Sequence, residues 1–346
     1  MKDLCIVELK TITTFIFIVF ALQCNAQLSD FKTVSFQKAD STALAHKNES
    51  LDNLPELSHK LTDGLNTDVE RYRSIYMWVC SNIANDYPFY LKNQSKRQHF
   101  KKDSSKLEKW NNRFKKQSFK RLLKQKRTIC TGYAYLVKKL SSIANLQCEI
   151  VQGYGKTSMT EVEELDIPNH TWNAIYLNKK WYLSDATWAS GIPHPETNMF
   201  VFQYNNGFFF PDPKLFALNH YPVDSKWLLI DDIDKPSFET FLESPILYNE
   251  AYNYLKKVEK PKKMHSLLKE NEIIQFRYEL LKPLNTKYIY LLIDNGIKTK
   301  KINPSVVTIE NNILTFQHAF KNKGFYDVHI YMDNNLLLTY TFEVEN

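Results

Sequence analysis

Two stretches of alternating apolar and polar residues, 170–177 and 181–187, predict the two strands of a β-hairpin with an Asn-Lys turn at 178–179. Counting outward from a two-residue turn places His170 and Asp185 on the same face as diagonal neighbours, with Cα atoms roughly 7–8 Å apart. A register shift of one residue would place them on opposite faces. The hairpin therefore predicts a histidine and a carboxylate within hydrogen-bonding reach of each other.

The nucleophile that such a pair would activate is Cys130, which precedes His170 in the chain. A helical pattern follows in residues 132–144, so Cys130 is expected at a helix N-terminus, where unpaired N–H groups and the helix dipole favour a thiolate. The backbone N–H groups of Cys130 and Thr131 are candidates for an oxyanion hole. Cysteine, histidine and aspartate together supply a nucleophile, a base and a carboxylate that orients the base.

Each of these residues also has a structural interpretation, since a single cysteine before an aromatic helix is usually a packing residue and an aspartate at a strand end is often a turn former. The order and predicted register of Cys130, His170 and Asp185 favour a catalytic triad. His220 and Trp227 are interpreted as packing residues of the core. Metal-ligand spacing, a Cys-x-x-Cys motif and a glycine-rich phosphate loop are all missing, so the sequence predicts neither a metal site nor a cofactor.

Residues 1–26 have the layout of a cleavable signal peptide: two lysines, an apolar run over 11–22, and small residues before a cut near Ala26-Gln27. The apolar run is shorter than the roughly 20 residues that span a bilayer, which disfavours a membrane anchor. A lipoprotein site at Cys24 is disfavoured because a large residue precedes it. We expect a secreted or periplasmic protein without a transmembrane span after signal removal.

Signal removal would leave three cysteines, Cys80, Cys130 and Cys148, in a compartment that permits disulfides. An odd number leaves at least one thiol free or intermolecular. Cys80 and Cys148 lie in apolar patterns, which favours buried small hydrophobes over a disulfide bridge.

The stretch from Lys92 to Arg127 is strongly basic, with fifteen Lys or Arg against two acids, and carries a formal charge of +13 against about −6 for the rest of the chain. A solvated insertion at residues 92–118 is the favoured interpretation. The alternative is attraction to an anionic cell-envelope surface such as lipid or cell-wall polymer. Nucleic acid is disfavoured because no binding motif accompanies the charge.

The end of this basic stretch is more apolar: Phe119, Leu122 and Leu123 predict a helical turn or two that docks just before the cysteine. Three side chains are candidates for an additional oxyanion donor by residue type alone, without a preference among them: Gln125, Trp110 and Trp78.

The chain as a whole predicts an α+β protein. An extended N-terminal arm is expected over residues 27–50, a core with N-terminal helices and an antiparallel sheet over 51–245, and a helix and linker over 246–265. Short alternating runs separated by turn residues in 266–346 predict a β-sandwich of immunoglobulin-like kind.

The motifs around the three candidate residues resemble those of the transglutaminase-like superfamily: Ile-Cys-Thr-Gly-Tyr-Ala at Cys130, His-Thr-Trp-Asn at His170 and Trp-Tyr-Leu-Ser-Asp-Ala-Thr-Trp at Asp185. Within that superfamily, residues 212–227 are similar to the kyphoscoliosis peptidase branch. The resemblance covers about 51–229 and implies a papain-like core that places the cysteine at a helix start and the histidine and aspartate on adjacent strands.

The resemblance also implies a thiol mechanism on peptide or protein amides. Cys130 attacks the carbonyl, His170 transfers the proton and Asp185 orients the imidazole, and the acyl-enzyme passes to water or to an amine. Hydrolysis by a peptidase or amidase is the main expectation. The alternatives are a protein-crosslinking acyltransferase and a non-catalytic cell-envelope binding or scaffold protein that retains the fold.

Overall fold

The structure, a computed structural model, describes residues 27–194, 196–197 and 199–346. The predicted signal peptide, residues 1–26, lies outside these ranges. In the described part of the chain, no helix combines the length and the apolar character needed to cross a membrane.

Three helices pack together at the N-terminal end: α1 (Gln37–Ala45), α2 (Leu54–Thr62) and α3 (Asp68–Asn82), after a 3-10 turn at Gln27–Phe31. α3 begins with a capping box, in which the Thr67 hydroxyl accepts from the N–H of Glu70 and the Glu70 carboxylate accepts from the N–H of Thr67. Its apolar stripe is fully buried at Ile75 and Val79.

Residues 27–50 differ from the extended arm expected from their polar composition. Ala39 and Ala43, one turn apart in α1, are fully buried. Asp40 forms an ion pair with the buried Arg73 of α3, with an Nε–Oδ1 distance of 2.6 Å. The small alanines let α1 approach α3 closely, and the ion pair satisfies a guanidinium that would be costly to bury alone. Two alanines make too weak a pattern to predict this helix.

The basic stretch leaves the core through β1 (Ala84–Asn85), forms α4 (Tyr87–Phe100) and α5 (Ser104–Gln125), and returns through β2 (Arg127–Thr128). β1 and β2 pair in parallel, which closes the base of the excursion. We call residues 84–128 the basic hairpin.

The basic hairpin has an apolar interior of its own, so the predicted solvated insertion describes only its outer side. Phe89 and Phe114 stack with ring centroids 4.2 Å apart and pack with Ile129, the residue before the predicted nucleophile. The expected turn or two before Cys130 is the end of a 22-residue helix, in which Leu122 is buried and Leu123 is exposed.

After α6 (Cys130–Ile143), an antiparallel sheet forms from β3 (Cys148–Gly155), β4 (His170–Leu177) and β5 (Lys180–Ser184). The chain then continues through short elements: α7 (Ala186–Ser190), β6 (Gly191–Pro193), β7 (Phe200–Phe202), α8 (Pro213–Phe216), β8 (His220–Pro222) and α9 (Phe238–Glu243). β8 completes the sheet in the order β5-β4-β3-β8, and α6 packs against β3 and β4.

The register of the β4–β5 hairpin is the predicted one, with Leu177 opposite Lys180 and Asn173 opposite Ser184. The ladder stops at Ser184, however, so Asp185 does not continue the strand and does not pair with Trp172. Asp185 leaves the strand because its carboxylate caps the helix that follows.

Lys156 joins the sheet to the segment that leads to the C-terminal region. Its buried ammonium donates hydrogen bonds to the carbonyl oxygens of Phe241, Leu242 and Ser244 and to the Ser244 hydroxyl, at distances of 2.6–3.2 Å. Four acceptors compensate the cost of burying the charge. Burial lowers the pKa of Lys156 to about 7.

The C-terminal region consists of two sheets whose strands are β9 (Ile246–Leu247), β10 (Leu255–Lys260), β11 (His265–Lys269), β12 (Ile273–Leu280), β13 (Ile289–Asp294), β14 (Thr299–Ile302), β15 (Ser305–Glu310), β16 (Ile313–Ala319), β17 (Gly324–Met332) and β18 (Asn335–Glu345). One sheet has the order β10-β12-β16-β15 and the other β11-β18-β17-β13-β14, with β9 beside β18. Phe276 of the first sheet packs on Tyr340 and Phe342 of the second.

Residues 246–265, predicted as a helix and linker, supply nine residues to these sheets, and residues 261–264 form a connection without helix or strand. The helical part is one turn, α10 (Ala251–Tyr254). β9 and β10 pair with strands on either side of the core, and Leu255 is fully buried. The helical pattern of the sequence was overridden by burial between the two sheets.

Candidate active site

Cys130 is the first residue of α6, as predicted, and its side chain is 6% exposed. The close approach of Thr128 to Gly132 fixes this turn, because a Cβ atom added at Gly132 would lie 2.0 Å from the Thr128 hydroxyl oxygen. Thr128 is also hydrogen-bonded to Ser118 of α5, at 3.1 Å. The start of α6 is therefore positioned by the basic hairpin as well as by the sheet.

His170 is the first residue of β4, and its Nε2 lies 2.7 Å from Oδ2 of Asp185. The imidazole stacks on Trp188, with ring centroids 4.8 Å apart. Gly155 of β3 allows this packing, because a Cβ atom there would lie only 3.0 Å from the His170 Cβ and 3.2 Å from Trp188. Since Nε2 is engaged with Asp185, Nδ1 is the ring nitrogen left for Cys130, and the imidazole lowers the pKa of the Cys130 thiol.

Asp185 is fully buried and uses both carboxylate oxygens. Oδ1 accepts the N–H groups of Thr187 and Trp188, at 2.8 and 3.3 Å, as the N-cap of α7. Oδ2 faces His170 and also His220, whose Nε2 is 3.1 Å away. The cap fixes the carboxylate while the two imidazoles approach it from β4 and β8, the two strands that flank β3.

His220 is the residue near the site whose position the sequence did not indicate. It lies in β8 opposite Gly155, is fully buried, and stacks on Phe216 with ring centroids 3.7 Å apart. Its Nδ1 is 2.8 Å from Oδ1 of Asn219. Burial lowers the pKa of His220 to about 4, so the imidazole is neutral at pH 7 and contacts Asp185 as an uncharged group.

The charges of Cys130, His170 and Asp185 stabilise one another. Burial would raise the pKa of the Cys130 thiol, but the hydrogen bond and positive charge of His170 outweigh it and leave that pKa below its ordinary value. Burial would lower the pKa of His170, but Asp185 and Cys130 raise it to about 10. The pKa of Asp185 is well below its usual range, because the histidines outweigh its desolvation. A thiolate–imidazolium pair is thus favoured near neutral pH.

The two other cysteines have the opposite electrostatics. Burial raises the pKa of Cys80 well above its ordinary value and that of Cys148 to about 12. The three cysteines in the described part of the chain are free and buried, so Cys80 and Cys148 do not form a bridge. Their environment is that of small hydrophobic residues, as the sequence predicted.

A cavity of about 340 Å³ opens beside Cys130 and His170. The sheet side and the loop before β4 form one wall, and the basic hairpin forms the other through residues of α4 and α5. The hairpin residues that line it are Tyr90, Asn93, Gln94, Arg97, Gln98, Asn111, Phe114, Lys115, Ser118 and Phe119. The volume is within the range of about 300–1,000 Å³ that is usual for ligand pockets.

None of the three side chains considered as oxyanion donors lines this cavity. Trp78 is fully buried, and its Nε1 donates to the carbonyl of His46 at 2.7 Å. Trp110 donates to Asn93 at 2.9 Å inside the basic hairpin. The amide of Gln152, on β3, does line the cavity. Residue type alone could not separate these positions.

Asn173, the last residue of the His-Thr-Trp-Asn motif, has a structural role in the site. Its buried amide donates to the carbonyls of Ala134 and Glu149, at 3.0 and 3.2 Å. It therefore ties β4, which begins with His170, to α6, which begins with Cys130.

The sequence profile of the transglutaminase-like superfamily matches residues 55–186. This range contains Cys130 and His170 and ends just after Asp185. Residues 55–186 form a transglutaminase-like domain. The family suggested by the sequence motifs is therefore confirmed for this part of the chain, and the α+β character of the domain agrees with it.

Several characterised proteins are similar to this domain and its surroundings. Kyphoscoliosis peptidase of Mus musculus is 32% identical over 225 residues, which cover 63% of this chain and 30% of that protein. Kyphoscoliosis peptidase of Homo sapiens is 34% identical over 182 residues, covering 51% and 24%. Hillarin of Drosophila melanogaster is 23% identical over 210 residues, covering 57% and 23%. The chain spans less than a third of the length of these relatives, and the matches support the predicted kyphoscoliosis peptidase branch.

His170, Asp185 and His220 are residue types that can also ligate a metal, and their ligand atoms lie within 4.8 Å of one another. The separations from Asp185, 2.7 and 3.1 Å, are those of direct hydrogen bonds. Hydrogen bonds from the imidazoles to the carboxylate account for these separations without an ion. The arrangement fits a hydrogen-bonded network.

Proposed function

We propose that this protein is a cysteine peptidase or amidase that cleaves peptide or protein amides through an acyl-enzyme formed on Cys130. The observation that carries the proposal is the buried chain of Cys130, His170 and Asp185 at one end of a cavity large enough for several substrate side chains. The pKa of the Cys130 thiol is lowered, which is the direction that a nucleophile requires.

In the proposed acylation step, the Cys130 sulfur forms a bond to the carbonyl carbon of the substrate amide. The negative charge on the carbonyl oxygen is stabilised by the N–H groups of Cys130 and Thr131, which lie in the first turn of α6 and have no carbonyl of that helix to donate to. His170 gives its proton to the leaving nitrogen, and the C–N bond breaks.

In the proposed deacylation step, His170 takes a proton from water, and the resulting oxygen nucleophile displaces the Cys130 sulfur from the acyl group. The products are a carboxylic acid and the free thiolate. Asp185 keeps the imidazole oriented in both steps, and His220 keeps Asp185 in place. An amine in place of water would give a crosslinking acyltransferase.

The first experiment measures which cysteine is reactive. Iodoacetamide at pH 7 is expected to alkylate Cys130 much faster than Cys80 or Cys148, because only Cys130 has a lowered pKa. Peptide mapping by mass spectrometry gives the three rates. Equal alkylation of all three cysteines in the folded protein would contradict the proposal.

The second experiment separates hydrolysis from transfer. The protein is incubated with a peptide mixture and a labelled primary amine, and mass spectrometry counts new termini against amine adducts. New termini that vanish with Cys130→Ala support the peptidase; adducts that vanish with it support the acyltransferase. A protein that yields neither, yet binds cell-envelope fractions with or without Cys130, would support the scaffold alternative.

Two further proposals concern location. We propose that residues 1–26 direct export and are cut near Ala26-Gln27, which N-terminal sequencing of the protein purified from its native host would test. We also propose that the outer side of the basic hairpin contacts an anionic envelope surface. Its excess of cations supports this, and salt-dependent binding to anionic vesicles is the test.

We propose that the C-terminal sandwich is immunoglobulin-like. The strand orders β10-β12-β16-β15 and β11-β18-β17-β13-β14 support this, because they correspond to the A-B-E-D and G-F-C arrangement of such domains with additional edge strands. An experimental structure of residues 246–346 within the full chain would test the assignment.

A further inference from the structure

The cavity wall formed by the basic hairpin has a net positive charge. Two of its lining residues are cations, Arg97 and Lys115, and no Asp or Glu of the described chain lines the cavity. The other polar lining side chains are mostly amides and hydroxyls, which are neutral. A ligand that enters this cavity therefore meets a positive electrostatic potential.

Of the two cations that line the cavity, Arg97 is the less exposed and the better placed to bind a ligand. It lies near the end of α4 and is only partly exposed. Nη1 donates to the carbonyl of Pro168 at 2.7 Å, while Nε is shielded from solvent and has no hydrogen-bond partner. A buried donor without an acceptor carries an uncompensated desolvation cost, which is larger when the group is charged.

Three other cations of the basic hairpin, unlike Lys115, have acidic partners. Lys101 pairs with Asp166 at 2.8 Å, and Arg121 and Arg127 both pair with Asp86. Arg97 contacts only a neutral carbonyl, although it is partly buried. The structure thus leaves its most enclosed cavity cation without a carboxylate.

The position of Arg97 relative to the nucleophile adds a second constraint. Burial lowers the pKa of Arg97, and the Cys130 thiolate acts in the opposite direction, so the two groups are close enough to interact. The guanidinium stays protonated, since arginine does not lose its proton in proteins. Arg97 and Cys130 line the same cavity, so a group bound to Arg97 would share that cavity with an amide held at Cys130.

We propose that Arg97 binds a carboxylate of the substrate beside the scissile amide, so that the enzyme prefers acidic peptides. This inference rests on the proposed peptidase function and names its substrate class. The guanidinium of Arg97 supplies a charge-assisted hydrogen bond from the cavity wall, and Lys115, exposed and without an ion pair in the described chain, attracts the same charge. The carboxylate has two sources, an Asp or Glu side chain or a peptide C-terminus.

The test uses the full chain and synthetic peptide pools that are identical except for Asp or Asn at each position, with the C-terminus either free or amidated. Cleavage rates are read by mass spectrometry. We expect kcat/KM to be about 10- to 100-fold higher for Asp than for Asn at a position within two residues of the cleaved bond, the factor that one charge-assisted hydrogen bond supplies. If the peptide C-terminus is the source, the same factor separates free from amidated peptides.

Arg97→Gln is expected to remove this preference, and Arg97→Lys, which keeps the charge and a shorter donor, to retain part of it. Arg113→Gln is the matched control, because Arg113 is an exposed arginine of α5 outside the cavity. Equal cleavage of acidic and neutral peptides by the wild-type protein would overturn the inference and leave the proposed function intact. No cleavage of any pool, with Cys130 unreactive to iodoacetamide, would instead count against the function itself.

Discussion

The transglutaminase-like domain and the C-terminal sheets bury different kinds of side chain. In residues 255–346, which are described throughout, Thr339 is the one buried residue that is polar and not a tyrosine. The preceding part of the chain buries Cys130, His170, Asp185 and His220 in one place, together with many other polar groups. Burying such groups is costly unless each is paired, so the domain holds a connected network where the sheets hold an apolar core.

This contrast indicates that the C-terminal sheets mainly stabilise the fold, whereas the polar network around Asp185 serves the chemistry. Apolar contacts such as those of Phe276 stabilise the fold without orienting any reactive atom. The polar network orients reactive atoms, and its members contribute to stability only as a set. Variants in the two regions should therefore separate activity from stability.

The largest expected effect is the loss of turnover in Cys130→Ala. Without the sulfur no acyl-enzyme forms, so kcat should fall by about 10⁴-fold or more, while the melting temperature changes by only a few degrees. Peptide cleavage and thermal unfolding measure the two quantities. Cys80→Ala is the control, since it removes an equally buried thiol outside the network; if it abolished activity equally, the assignment of the nucleophile would be wrong.

Asp185→Asn should come next, with a loss in kcat of about 10³-fold. The amide oxygen can still cap α7, so the fold should persist, but the amide cannot stabilise the His170 imidazolium as a carboxylate does. Circular dichroism checks the fold and peptide cleavage the rate. A variant that is active but unfolds at lower temperature would mean that Asp185 is only a cap.

Phe276→Ala tests the other side of the comparison. Removing this fully buried ring should reduce the free energy of unfolding by about 3–5 kcal/mol with little change in kcat at temperatures where the protein remains folded. Urea unfolding and peptide cleavage provide the measurements. A selective fall in kcat would show that the sheets take part in the chemistry.

His220→Phe should lower kcat by about 10-fold, because Asp185 loses one of its two imidazole contacts and with it a fixed orientation. The phenyl ring can keep the stacking on Phe216. His220→Gln, which retains an N–H donor, should recover part of the rate at unchanged stability. Equal rates for Phe, Gln and wild type would mean that His220 only fills space.

The smallest effect is a pH dependence. His170 has a pKa of about 10 in the folded protein against an ordinary value of 6.5, so the stability it contributes is complete below 6.5 and is lost as the pH rises through 10. The kcat/KM profile should rise as Cys130 ionises below its ordinary pKa and fall about 10-fold per pH unit above 10. A fall in kcat/KM that begins near pH 7 would show that Asp185 and Cys130 do not stabilise the His170 imidazolium.

The sequence predicted those parts of the site that depend on local pattern. Cys130 at a helix start follows from the residues after it, and the register of the β4–β5 hairpin follows from its two-residue turn. The departure of Asp185 from the ladder did not follow, because capping depends on a helix of only five residues. His220 could not be identified, since its approach to Asp185 depends on how β8 pairs with β3 across a long connection.

The basic hairpin illustrates a different limit. Its charge predicted a solvated surface, and this holds for the outer side. The inner side is set by a few aromatic residues separated by many polar ones, such as Phe89 and Phe114, whose pairing depends on the two helices folding back on each other. Periodicity within one helix does not contain that information.

The four hydrogen bonds of Lys156 have a mechanical consequence. The segment that accepts these bonds, Phe241 to Ser244, lies just before β9, and Lys156 lies just after β3. A force on the C-terminal sheets would therefore be transmitted to the end of β3. β3 pairs with both β4 and β8, whose imidazoles meet at Asp185. Tension between the transglutaminase-like domain and the C-terminal sheets would thus act first on β3, the strand that separates His170 from His220.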